Sequence, residues 1–267
     1  MNILFTVCGR AGSKGVKNKN LKNMLGKPLV YYTLSAIDLF IKENNGVDTI
    51  HVCASSDSRD LLGLITAQKA FPVFTVDRSA ELSGDTVGKV SVIRDALLRS
   101  NKHFGIEHDM VIDLDITSPI RSLQDVVNIY EKKKYSPDFD IVFSVTSARR
   151  NPYFNQVKII PETGGYELVM NQGLTSRQQA PVVYDMNASI YAYDGSYLTC
   201  SNSDKLFDGR CTAVMMEDTA VLDIDSEEDY ELMEYLSKYF IKSNLDFASL
   251  FTNITYIFES VFYGEER

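Results

Sequence analysis

Histidine is scarce in this chain, with three in 267 residues. His51, His103 and His108 stand at no metal-ligand spacing to one another. That argues against a histidine-based zinc site and a Ser-His-Asp triad. Cysteine is also sparse. Cys8, Cys53, Cys200 and Cys211 form no CxxC pair and follow no regular spacing. Cys8 and Cys53 lie in apolar runs, where a buried free thiol is the default, so a reduced, cytoplasmic setting is expected. No apolar run approaches the roughly 20 residues that cross a bilayer. The opening MNILFTV lacks the basic stretch of a signal peptide, so no membrane association is expected. Cations are the minority charge, 27 Lys+Arg against 36 Asp+Glu for a net charge of −9. A nucleic-acid partner, which rewards a broad basic face, is excluded on that balance. A small anion needs only a local cluster, and that class stays open.

Such a cluster is present. Between Arg10 and Lys27 lie six cations and no acid: Arg10, Lys14, Lys17, Lys19, Lys22 and Lys27. They are threaded on Gly9, Gly12, Gly15 and Gly26. The stretch is not a Walker A loop, because Gly26-Lys27 is followed by Pro28 and residue 21 is leucine. Nor is it GxGxxG, since its first glycines step by three. It nevertheless has the parts of an anion cradle. Glycines let backbone amides approach phosphate oxygens, and lysines bring point charges. A solvated basic loop is the plain alternative.

Strand and helix signals alternate through the first half of the chain. Residues 3–9, 49–56, 71–78, 110–117 and 140–148 read as strands, with helical spacing between them. The pattern predicts an α/β fold with a mostly parallel sheet and helices on both faces. Ligands in such sheets bind beyond the carboxyl ends of the strands. The Gly/Lys loop, SSDS (55–58) and TSPIR (117–121) each follow a strand and are expected to meet in one crevice. After Ala148 the rhythm breaks. Apolar and polar residues alternate around PETGG, a hairpin signature. We read residues 149–187 as an inserted antiparallel arm, 188–194 as a return to the sheet and 241–267 as a helical tail. Residues 1–240 form one domain in this reading. Asp223-Ile224-Asp225 ends a short strand, and alternate residues there share a face, which suits Mg²⁺. Capping of the following helix by Asp225 or Ser226 is the alternative. Asp113-Leu114-Asp115 is a second such pair, less suited to metal.

At this point the residues carry a resemblance. GRAGSKGVKNKNLKNMLGKPLVYYTL resembles the opening signature of the cytidylyltransferases that activate sialic acids and related nine-carbon keto sugar acids. It is similar, more distantly, to those that activate the eight-carbon acid Kdo. The likeness continues through DRSAELSGDT, ITSPIR, NASIY and LDIDSEEDYEL, covering roughly residues 3–236. RRNPYFN and YDMNASIY point to the legionaminic-acid subgroup. The resemblance implies a three-layer, Rossmann-like nucleotidyltransferase fold and the reaction of CTP with a nonulosonic acid to give a CMP-sugar and pyrophosphate. It implies nucleotide contacts at Arg10, Gly12, Ser13, Lys14, Lys19, Asn20, Arg78 and Lys89, with Arg10, Lys14 and Lys19 acting on the phosphates. It implies Mg²⁺ on Asp223 and Asp225. Substrate contacts are implied at Asp115, Thr117, Ser118, Asn187 and Tyr191. The arm matches the family's dimerisation element, which implies a homodimer with Arg177 or Gln178 reaching the neighbouring site. Three positions depart from the pattern. Asp115 stands in a sugar-facing glutamine's place, Lys89 where serine is usual, and Arg149-Arg150 where histidines are common. A glycosyltransferase with a DxD metal site and a non-catalytic nucleotide-binding protein are the rival readings.

Overall fold

The structure, a computed structural model, describes residues 1–12, 16, 18–84, 86–217, 224 and 226–262, the side chains of 258–262 aside. In chain order the strands are β1 (Asn2–Cys8), β2 (Asn23–Met24), β3 (Lys27–Pro28), β4 (Thr49–Ser56), β5 (Phe74–Asp77) and β6 (Met110–Leu114), followed by β7 (Ile141–Ser147), β8 (Val157–Ile159), β9 (Tyr166–Leu168), β10 (Tyr184–Asp194) and β11 (Cys211–Met215). The helices are α1 (Leu29–Asn44), α2 (Arg59–Ala67), α3 (Lys89–Phe104), α4 (Leu123–Lys134), α5 (Gly195–Cys200), α6 (Glu227–Ser243) and α7 (Leu245–Phe262).

A seven-stranded sheet in the order β11-β7-β10-β6-β1-β4-β5 forms the centre. β10 pairs antiparallel with both β6 and β7, while the other recorded pairings in this sheet are parallel. β1 is mostly apolar because both of its faces are covered. Ile3, Phe5 and Val7 belong to one core with α1, α2, α4, α6 and α7, and Leu4 belongs to the other with α3 and α5. This is the expected three-layer α/β arrangement.

The helix starts follow from local chemistry. Ser58 caps α2 by accepting from Leu61 N–H, and Ser122 and Asp125 form a capping box on α4. Pro28 lies immediately before α1 with φ −55°, an angle its ring favours. α1 is buried almost all round, since the sheet covers one side and α7 the other. Polar groups pin that second contact. Asn253 Nδ2 donates to Asp38 Oδ2 at 2.9 Å and to Ser35 Oγ at 3.1 Å. Ser35 Oγ donates to the Leu250 carbonyl at 2.9 Å.

β8 and β9 form the expected hairpin of the arm, with Val157 opposite Leu168 and Ile159 opposite Tyr166. These four share one face, and Val157, Ile159 and Tyr166 are exposed there. Lys158 and Glu167 pair at 3.2 Å on the other face.

Candidate functional site

The loop after β1 is drawn tightly over the sheet's carboxyl edge. Gly9 N–H donates to the Ser55 carbonyl, Ala11 N–H donates to Asp57 Oδ1 at 2.7 Å, and Asn20 Nδ2 donates to the Arg10 carbonyl at 3.1 Å. Gly12 has φ +75°, which favours glycine. Val16 is fully buried and anchors the loop, and residues 19–21 close into one 3₁₀ turn. Arg10, Lys19 and Asn20 are half-buried along this path. Ser13 and Lys14 lie outside the described residues. Lys22 turns away to pair with Glu227 and lies 4.6 Å from the Tyr230 ring, so it ties the loop to α6.

The next edge loop supplies Arg78, which is buried. Its Nε donates to Ser55 Oγ at 3.2 Å and its Nη2 to the Ser55 carbonyl at 2.6 Å. The guanidinium thus rests on the end of β4, beside the amide that holds Gly9. Arg78 and the first loop are thereby placed together.

The end of β6 is the most heavily charged part. Asp113 is fully buried, and its Oδ1 accepts from Thr6 Oγ1 at 2.7 Å. Asp115 Oδ1 accepts from both the backbone N–H and the hydroxyl of Thr117, at 2.8 and 2.7 Å. Lys89, the first residue of α3, places Nζ 2.8 Å from Oδ2 of each aspartate. Burial pushes the Lys89 ammonium down, but Asp113 and Asp115 outweigh it and hold it well above the usual lysine range. Burial likewise raises Asp115, but Lys89 and Thr117 hold its carboxyl below the usual range. Beneath it, the guanidinium of fully buried Arg121 donates to the carbonyls of Asp115 and Ser118, setting the shape of the 115–118 turn. Arg121 is a positioning residue that only its place in ITSPIR could have signalled.

β10 carries an irregularity where it passes this turn. Its pairing with β7 shifts register between Met186 and Tyr191, and Ala188 has φ +51°. The break turns Asn187 inward. Its Oδ1 accepts from Ser144 Oγ at 2.5 Å, and its Nδ2 lies 3.5 Å from Met216 Sδ. Ser118 Oγ donates to the Asn187 carbonyl at 3.4 Å, which joins the bulge to the β6 turn. Tyr191 is buried, with its ring 4.9 Å from Lys89 Nζ. Arg177 and Gln178 are exposed on a 3₁₀ turn of the arm, and among the described residues no hydrogen bond or ion pair joins their side chains to the crevice.

Asp223 and Asp225 lie outside the described residues. Ile224 between them is fully buried in the larger core. Ser226 caps α6 in a box with Asp229, so the cap expected of either Asp225 or Ser226 falls to Ser226. Among the described residues no group of three or more His, Cys, Asp or Glu side chains could hold a metal. Asp57 and Thr6 are further edge residues without an expected site role, and Asp113, expected only as half of the less suited carboxylate pair, is the buried partner of Lys89. Asp57 was visible only as part of SSDS, and Thr6 was hidden in an apolar run. Among the described residues no helix is long and apolar enough to cross a membrane.

The sequence profile of a family described as cytidylyltransferase matches residues 4–246. Over 234 residues the chain is 36% identical to CMP-N,N′-diacetyllegionaminic acid synthase of Campylobacter jejuni, covering 88% of this chain and 94% of that one. It is 35% identical over 236 residues to post-translational flagellin modification protein B of Campylobacter coli, covering 88% and 95%. Its fold is similar to a solved CMP:2-keto-3-deoxy-manno-octonic acid synthetase complexed with CTP. That likeness has a TM-score of 0.58 at 15% identity and covers 90% of this chain and 99% of the other.

Proposed function

The chain belongs to the cytidylyltransferase family, and we propose that it couples CTP to a nine-carbon keto sugar acid of the legionaminic type, releasing pyrophosphate. Membership in an enzyme family sets aside the glycosyltransferase and binding-only readings. One observation carries the proposal. The cationic loop after β1 and the turns after β4 and β5 meet at the carboxyl ends of the sheet's parallel strands through the Gly9, Ser55 and Arg78 contacts, and Gly9 packs against Ile116 of the turn after β6.

In this reading the sugar's anomeric hydroxyl attacks the α-phosphorus of CTP. The bond to pyrophosphate breaks and the hydroxyl proton leaves to solvent. The work required of the protein is alignment and charge stabilisation. Arg10, Lys14 and Lys19 hold the triphosphate in line, Gly12, Ser13 and Asn20 present polar groups to it, and Arg78 completes the cationic wall, while the charge of Lys89 is taken up by Asp113 and Asp115. Thr117, Ser118 and Tyr191 border the sugar side. The two carboxylates of Asp223 and Asp225 are a donor set that suits Mg²⁺. When bound, Mg²⁺ neutralises charge on the triphosphate oxygens.

The oligomer belongs to the same reading. A two-stranded hairpin is marginal alone in water, and this one exposes Val157, Ile159 and Tyr166 on one face. A homodimer through the arm would cover them and carry Arg177 or Gln178 towards the neighbouring crevice. The absence of a membrane-spanning helix among the described residues fits work on water-soluble substrates. A cytoplasmic setting, where CTP is made available, is part of the proposal. Pyrophosphate release from CTP in the presence of N,N′-diacetyllegionaminate, N-acetylneuraminate, pseudaminate or Kdo tests the reading and ranks the sugars.

A further inference from the structure

Two carboxylates at the end of β6 and one ammonium from α3 form a closed unit that the reaction outlined above does not require. Asp113 and Asp115 are alternate residues at a strand end, so their side chains reach the same side of the sheet. Lys89 Nζ lies 2.8 Å from Oδ2 of both. The contact to Asp115 has hydrogen-bond geometry. Asp113 Oδ2 is buried, and the ammonium is its charge partner. Asp113 cannot turn away to find another donor, because its Oδ1 is tied to Thr6 inside the core. The ring of Tyr191 closes the lysine from a further side, at 4.9 Å.

A buried carboxylate pair of this kind needs a positive charge at its centre, since an unneutralised buried charge is strongly destabilising. Oxygen donors at alternate positions on a strand end equally suit a hard divalent cation, which would sit about 2.0–2.6 Å from them. The ammonium already stands between both Oδ2 atoms. No second cation fits between the same two oxygens while it is there, because two positive charges would then share one small polar hollow.

We propose that Lys89 is the resident cation of the Asp113–Asp115 pair, filling with its ammonium the place a divalent metal would take and closing that pair to metal. The inference goes beyond the activity proposed above and depends on neither the nucleotide nor the sugar. Its consequence for the crevice is that a metal ion serving a bound triphosphate must rest on other carboxylates. It also makes Lys89 and Asp115 a matched pair, since exchanging the lysine for a small neutral residue leaves behind two carboxylates with an open cation position.

The test is Mn²⁺ binding to the full chain, counted by electron paramagnetic resonance without nucleotide or sugar. Lys89→Ala is expected to bind one Mn²⁺ more per chain than the wild type. Adding Asp115→Asn to Lys89→Ala should remove that extra equivalent, whereas Asp115→Asn alone should leave the wild-type count unchanged. If Lys89→Ala is unfolded in metal-free buffer, Mn²⁺ should restore its far-ultraviolet circular dichroism and a cooperative melt. The proposal is overturned if Lys89→Ala gains no Mn²⁺ or is not restored by it, or if Asp115→Asn alone loses an equivalent. These readouts involve no turnover, so their failure is distinguishable from failure of the cytidylyltransferase reading on CTP.

Discussion

Gly9 and Ile116 leave no room between them for a side chain. A Cβ on Gly9 would lie 2.9 Å from Ile116 Cδ1 and 2.5 Å from Leu61 Cδ2. The loop after β1 therefore packs closely on the turn after β6 with no side chain at residue 9. Gly9→Ala forces both aliphatic ends to move and pushes on Asn20 Nδ2, 3.1 Å away. The expected cost is about 1–3 kcal/mol of stability, as for an added methyl in a packed core. Urea unfolding measures that cost, and nucleotide titration should report weaker CTP binding because Asn20 holds the Arg10 carbonyl.

The three histidines gather at the opposite end of the sheet, where their rings pack around Phe104. His108 Nδ1 lies 2.7 Å from Asn101 Oδ1, an acceptor, so His108 carries its proton there. Its Nε2 then accepts from His51 Nδ1 at 3.0 Å. Burial, assisted by His51, pushes the His108 imidazole down to about 4. The unfolded chain, with histidine near 6.5, therefore binds more protons than the folded one between these values, and stability falls as pH drops through that window. The expected loss is on the order of 2 kcal/mol by about pH 4. Urea unfolding across this range checks it, with His108→Gln as the variant whose profile should flatten.

Much of this architecture is legible in the sequence, and the exceptions have physical causes. β1 and β4 declare themselves through short apolar stretches, ILF in β1 and VCA in β4, because helices cover both faces of the sheet. The arm declares itself through PETGG, which marks the turn between β8 and β9. β11 is not legible. It is a short edge strand of mostly partly buried residues, CTAVM, with no clear alternation of apolar and polar positions. The side-chain direction of Asn187 is hidden too, because it depends on the break at Ala188 and on Ser144, 43 residues away in the chain. The Lys89–Asp113 pairing joins a helix start to the end of a neighbouring strand, and no local pattern encodes it. What the sequence does carry is the set of edge loops. What it lacks is which charges neutralise one another once those loops meet.

The capping and metal roles near residue 225 separate cleanly by mutation. Ser226 caps α6, so Ser226→Ala should cost about 1 kcal/mol of stability with kcat nearly unchanged. Asp223→Asn and Asp225→Asn should each lower kcat by about 100-fold or more, roughly 3 kcal/mol of transition-state stabilisation. Mg²⁺ titrations of kcat alongside thermal melts provide the measurement. Near-native kcat in both asparagine variants would remove the metal role.

The exposed face of the arm predicts the oligomer. Ile159→Asp and Tyr166→Asp place a carboxylate on the apolar side of the hairpin, where it would be desolvated in a dimer. Light scattering after size exclusion should find a dimer for the native chain and a monomer for the double variant. With Arg177 acting across the interface, activity should fall together with the dimer fraction.

The central claim is cytidylyl transfer to a nine-carbon sugar acid, and base choice tests it together with the chemistry. Purified protein with Mg²⁺, N,N′-diacetyllegionaminate and either CTP, UTP or ATP is followed by phosphorus NMR. A pocket built for cytosine can require its N4 amino donor, and a missing hydrogen-bond partner of that kind costs 10-fold or more in kcat/KM, on the order of 1.4 kcal/mol. Pyrophosphate and a CMP-sugar ester are expected from CTP, with at least about 10-fold slower turnover of UTP and ATP. Equal turnover of the three nucleotides, or no pyrophosphate from CTP with this sugar, N-acetylneuraminate, pseudaminate or Kdo, would contradict it.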